Sequence, residues 1–202
     1  MRRIESLFLE IVFLLVAHVA AATSDWTLAK SAEGIEVYTR PVAGSGVEEF
    51  KGVAEVGGDV DSILAVLRDS ARFKDWFPNT TESRLLSRDG TVSYQYSVMG
   101  APWPIAERDN VIRSELVRDA STGVVEIGVE AAPEYYPQQE GRVRVRKAKG
   151  MWTLEPVGPR RTRITFRMHL EPGGGIPDWL INSRVVNSPF ETLRNLRAVL
   201  SR

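Results

Sequence analysis

Side chains able to do covalent or metal chemistry are few in this chain. Its 202 residues include no cysteine and two histidines, His18 and His169. A zinc site built from several nitrogen or sulfur ligands therefore has almost nothing to draw on. A serine nucleophile would need His169 as its base. That residue sits in the polar phase of an alternating segment, and no Gly-x-Ser-x-Gly elbow occurs. Gly173-Gly174-Gly175 runs into Ile176-Pro177 rather than onto a Lys-Ser or Lys-Thr pair, so it predicts a turn or hinge and not a phosphate cradle. Glu126 and Glu130 could pair for acid–base work, but both fall on the polar side of an alternating strand, the pattern of a solvated face. No catalytic residue, metal or cofactor is expected.

What remains is the chemistry of non-covalent binding. Arg108 and Asp109 are neighbours on a predicted strand and must point to opposite faces. If Arg108 faces inward with Ile112 and Leu116, it needs a structural partner or a polar ligand head to offset its desolvation. Tyr94, Tyr96, Trp103, Trp152, Phe166 and Phe190 are candidates to line a pocket, although any packed core also wants such rings. Val186, Phe190 and Leu193 are candidates to roof it from a helix. Arg142, Arg144 and Arg146 form a basic row on one strand face, which suits solvent or anionic lipid headgroups. Asn79-Thr80-Thr81 is a glycosylation acceptor pattern.

The elements that must position these residues follow from periodicity. Ile35, Val37 and Thr39 alternate with polar neighbours as in a half-buried strand, and a second strand runs from Val47 to Val56. Asp59 is placed to cap a short helix carrying Val60, Ile63, Leu64 and Leu67 on one face, and Pro78 ends a second short one. Asp89-Gly90 is turn chemistry for a hairpin, with Val92, Tyr94, Tyr96 and Val98 read as the inward set of the second strand. Further strands are expected over 108–117 and 125–131. Val143 and Val145 are out of phase with Trp152 and Leu154, which predicts a bulge near Lys147–Gly150. Ile164, Phe166, Met168 and Leu170 form one more inward set. Val186, Phe190, Leu193, Leu196 and Leu200 make an amphipathic helical stripe that Pro189 should kink or divide. Successive strands joined by tight turns mean an antiparallel sheet, with the long last helix packed into its concave face.

Composition bounds the rest. Twenty-six basic residues balance twenty-six acidic ones, so no global field favours nucleic acid. Arg2 and Arg3, the apolar run Leu7–Val19 and Ala20-Ala21-Ala22 together resemble a cleavable export signal over 1–22. The run is about 13 residues, short of the roughly 20 that a spanning helix needs. A single mature domain over 23–202, secreted or periplasmic and monomeric, is the expectation.

Pro102-Trp103-Pro104 through Arg108-Asp109-Asn110-Val111, and then Gly174-Gly175-Ile176-Pro177-Asp178-Trp179-Leu180-Ile181-Asn182, resemble the START (steroidogenic acute regulatory protein-related lipid transfer) domain family. Gly34-Ile35-Glu36-Val37-Tyr38, Phe50-Lys51-Gly52 and the Trp76 region add to the likeness, in the order that family uses. The resemblance implies an α+β helix-grip fold: a curved antiparallel sheet around a C-terminal helix, enclosing a tunnel for one lipid or sterol-like molecule. It implies a non-enzymatic binder with transient membrane contact. A cyclase/aromatase-like or hydrolase-like enzyme on the same fold, and an interaction module with a filled core, are the alternatives.

Overall fold

A computed structural model of the chain describes residues 25–201. The export signal predicted over 1–22 lies outside the described residues. Three strands come first: β1 (Thr27–Ala32), β2 (Ile35–Arg40) and β3 (Glu49–Gly57). Two short helices follow, α1 (Val60–Arg68) and α2 (Phe73–Trp76). Seven more strands are β4 (Thr80–Asp89), β5 (Val92–Met99), β6 (Arg108–Arg118), β7 (Val125–Ala131), β8 (Val143–Arg144), β9 (Lys147–Gly158) and β10 (Arg161–Glu171). Helices α3 (Asp178–Val185) and α4 (Asn187–Leu200) close the chain. The sheet runs β1-β2-β3-β10-β9-β7-β6-β5-β4, antiparallel throughout, and curves around the C-terminal helix. The two-residue β8 adds to β6 in parallel, an exception to the all-antiparallel expectation.

Local chemistry explains most of these elements. The Asp59 carboxylate accepts from the Ser62 amide at 2.8 Å, and Val60, Ile63 and Leu64 are buried below it. The last helix divides at Val186, where Pro189 lacks the N–H that would bond the Val185 carbonyl. Phe190, Leu193 and Leu196 are buried on the underside of α4. Leu193 rests over Gly52 of β3, where an added Cβ would lie 2.9 Å from the leucine methyl.

Three local expectations need correction. β1 was not anticipated, because Thr27–Ala32 carries no clear alternation and is largely exposed. The β4–β5 loop is Gly90-Thr91, one residue later than Asp89-Gly90, since Asp89 still pairs with Val92. Gly90 sits at φ +52°, as a turn with glycine in its first central position requires. The phase change near residue 146 is not a bulge. There the chain leaves its parallel pairing with β6 and enters β9, whose register against β10 runs unbroken through Lys147–Gly150. Gly150 instead permits close strand approach, because a Cβ there would meet the Arg167 carbonyl oxygen at 2.3 Å.

Candidate binding cavity

Two apolar cores form, one on each face of the sheet. The main core lies between the inner face and α1, α2 and α4. The smaller one lies outside, where Tyr96, Val98 and Val111 are covered by Ala132 and Tyr136. The segment 132–141 thus lies over the back of β5 and β6. Tyr94 stacks on Tyr135 with ring centres 3.6 Å apart, and Tyr96 packs beside Tyr136.

Because the tyrosines take the outer face, the opposite set of β5 turns inward. Gln95, Ser97 and Met99 line a cavity of about 110 Å³, partly open to solvent. From β6 come Asn110, Ile112 and Ser114, with Asn110 directly across from Ser97. Ile127 and Val129 of β7 extend this floor. Trp152 of β9 and Phe166 of β10 are register partners whose rings stack at 3.8 Å. The opposite wall is Leu67 of α1 with Phe73 and Trp76 of α2 and the following Phe77. Trp76 meets Trp152 edge-on, and Phe77 meets Phe166 likewise, so the walls brace each other.

Of the residues singled out from sequence, Trp152 and Phe166 line this cavity. Tyr94 and Tyr96 do not, because alternation fixes the two sets but not which set faces in. Trp103 is 93% exposed on the loop between β5 and β6. Val186, Phe190 and Leu193 belong to the core beneath α4 and take no part in the lining. The helix seats on β2 and β3 at that point, while α1 and α2 form the roof. It supports the roof from behind: Asn195 donates to the Trp76 carbonyl at 3.1 Å.

Arg108 does face inward, two residues before Asn110, but it lies outside the lining. Its guanidinium donates to the carbonyls of Ala106 and Gly173, the latter at 3.2 Å. It ties the β5–β6 loop to the glycine run, whose three residues all have φ near +70°. Burial pushes its pKa down. Asp109, on the other face, forms a two-pronged pair with Arg144 at 3.0 and 2.8 Å.

The sequence model of the START domain family matches residues 6–202. The chain belongs to the START domain family. It is 42% identical to the STAR-related lipid transfer protein of Xanthomonas axonopodis, whose crystal structure superposes with a TM-score of 0.84 over 89% of this chain and 100% of that one. An uncharacterised protein of Pseudomonas aeruginosa is 38% identical, covering 88% of each chain. Phosphatidylcholine transfer protein of Rattus norvegicus is 28% identical, over 88% of this chain and 84% of its own.

Elsewhere in this START domain, the arginines of the expected basic row are engaged. Arg142 donates to the Tyr96 hydroxyl at 2.9 Å and pairs with Glu107 and Glu82, and Arg146 pairs with Glu134. With Arg144 buried on Asp109, the expected basic row is not a free cationic surface. His169 Nε2 lies 3.2 Å from the Ser45 hydroxyl, at a second cleft bounded by Gly44–Val47, Glu171 and Gly175. That cleft is lined by four glycines, the carboxylates of Glu171 and Asp178, Ser45 and the apolar Val47, Pro172, Ile176 and Ile181. Lys147, at 2.9 Å, and Ser45 beside it hold the Glu171 carboxyl below the usual range. Among the described residues no group of three His, Cys, Asp or Glu could hold a metal ion.

Sequence reasoning missed Gln95, Ser97, Asn110 and Ser114, all read as the polar, outer phase or passed over. The signal was present in the segment 132–141: its Tyr135 and Tyr136 need an apolar surface, and the back of β5 supplies one.

Proposed function

We propose that this START domain binds one hydrophobic molecule in the cavity between its sheet and α1–α2, and carries or senses it without catalysis. The observation that carries this is an aromatic and aliphatic hollow, walled by stacked Trp152 and Phe166, where a filled core would have side chains. The 42% identity to a STAR-related lipid transfer protein supports the same reading. Burial of apolar ligand surface would contribute roughly 25 cal/mol per Å² removed from water. At about 110 Å³ the hollow is smaller than a cavity of roughly 150 Å³ that takes benzene. A longer chain therefore enters by widening it, and Met99 and Met168 are the unbranched wall residues suited to move.

Extraction and mass analysis of the purified protein tests the proposal. A co-purifying apolar molecule, or stoichiometric uptake of a fluorescent fatty acyl probe, is the expected result. Neither appearing would leave the hollow as a packing defect and the domain as a surface-interaction module.

Exchange is proposed to occur at a lipid surface. Trp103 and Trp179 are the most exposed tryptophans, at 93% and 72%, the first on the β5–β6 loop and the second in α3. Indole rings favour the headgroup level of a bilayer. Replacing both with alanine should weaken sedimentation with vesicles while leaving affinity for a soluble probe unchanged. Among the described residues no helix is long and apolar enough to cross a membrane. Export is proposed from the sequence of 1–22, and N-terminal sequencing of protein from an exporting host should find a start near Thr23.

A further inference from the structure

We infer that the binding site has a second compartment, the groove between α1 and α4, and that the Trp76 side chain is the movable partition between the two. The inference rests on the cavity being the binding site and concerns where a guest longer than that cavity puts its far end. Three observations carry it.

First, one side chain belongs to both spaces. Trp76 lines the cavity of about 110 Å³ and also an open groove of about 200 Å³. The other walls of the groove are Ala65 and Val66 of α1, Asp69 and Arg72 after it, and Val199 of α4. Among the described residues Trp76 is the one common to both linings. Helix α1 serves both as well, giving Leu67 to the cavity and Ala65 and Val66 to the groove.

Second, packing alone holds the indole. Its ring meets Phe73, Phe77 and Trp152 edge-on, with centres 5.0, 5.9 and 6.1 Å apart. Its N–H is buried without a hydrogen-bond partner, so a change of rotamer breaks no hydrogen bond. The backbone beneath it is anchored. The Trp76 carbonyl accepts from Asn195, and the Phe77 amide donates to the Phe73 carbonyl at 2.9 Å. The ring can therefore turn while the main chain stays.

Third, the cavity alone is short of room. It is smaller than a hollow of roughly 150 Å³ that takes benzene. Movement of Met99 on β5 and Met168 on β10 widens it from the sheet side and leaves the wall of α1 and α2 closed. Ala65, Val66 and Val199 give the groove apolar surface, so a chain that passes Trp76 gains burial in proportion to its length. The competing reading is a guest held wholly within the cavity, which the methionines enlarge unaided.

Titration of the full chain with methyl octanoate and methyl hexadecanoate, each delivered from cyclodextrin, tests the inference. These neutral esters differ only in length. Ala65 is exposed, so Ala65→Phe fills the groove from its solvent side without disturbing the core. In that variant hexadecanoate affinity should fall about tenfold, the burial of roughly two methylene groups, while octanoate affinity holds. A second readout uses wild-type protein labelled with fluorotryptophan. The Trp76 fluorine resonance, assigned by its loss in Trp76→Phe, should move further with hexadecanoate than with octanoate. Unchanged hexadecanoate affinity in Ala65→Phe, equal losses for both esters, or a Trp76 resonance that answers both alike overturns the inference and leaves binding in the cavity standing. Binding of neither ester by the wild-type chain overturns both.

Discussion

The two faces of β6 bury polar side chains to similar extents and treat them in opposite ways. On the outer face Asp109 and Arg144 are fully buried, with side-chain exposures of 0% and 2%. Arg144 gives both prongs to Asp109 and its remaining hydrogens to the carbonyls of Pro133, Tyr136 and Pro137. The carboxylate in turn raises the arginine pKa, its bonding outweighing the desolvation that opposes it. On the inner face, one residue away, Asn110 is just as buried and its carbonyl oxygen has no partner. A closed network fixes the 132–145 segment to the sheet. On the inner face an amide oxygen of a cavity-lining residue stays unpaired. The difference separates a polar group tied into the architecture from one that is not.

Breaking the closed side should have the largest effect. Asp109→Ala strands a buried guanidinium and is expected to cost about 3–5 kcal/mol of stability, read as a fall in the urea midpoint. Replacing the pair together, Asp109→Leu with Arg144→Met, should recover much of that loss. A single variant as stable as the wild type would mean that the pair is not buried as described. On the open side Asn110→Leu removes an unpaired buried amide oxygen, so urea unfolding of the apo protein should show stability unchanged or raised by about 1 kcal/mol. A loss like that of Asp109→Ala would erase the contrast between the faces. The smallest effect belongs to an exposed carboxylate with complete partners. Asp119 closes the β6–β7 turn by accepting from Ser121, hydroxyl and amide, and from Thr122, which lowers its pKa from 3.8 to about 2. Its contribution is present above pH 3.8 and fades as pH falls from there towards 2. Asp119→Asn should flatten the stability profile in that window, and an unchanged slope would refute the assignment.

Much of this architecture was legible before any coordinates. Asp59 with its following apolar face, the Ile164–Leu170 alternation and the stripe broken at Pro189 each rest on local rules, and each forms where expected. What failed was whatever depended on remote pairing. Alternation in β5 divides Tyr94 and Tyr96 from Gln95 and Ser97, but only the covering segment 132–141 decides that the tyrosines are the outer set. The phase slip after Val145 looked like a bulge because a change of neighbouring strand leaves the same mark in sequence. Trp152 and Phe166 were legible as candidates because they share a face with long apolar runs. Asn110 was not, since a lone amide beside Arg108-Asp109 gives no sign that its partner is absent.

Gly52 sets a direction for anyone who would redesign the hollow. Its missing side chain lets Pro189 and Leu193 press directly onto the strand, with no slack for a bulkier residue or a receding helix. Room for a larger guest must therefore be carved from the opposite bank, by trimming Leu67 or Phe77. Enlarging the hollow from beneath the last helix would unseat the helix first.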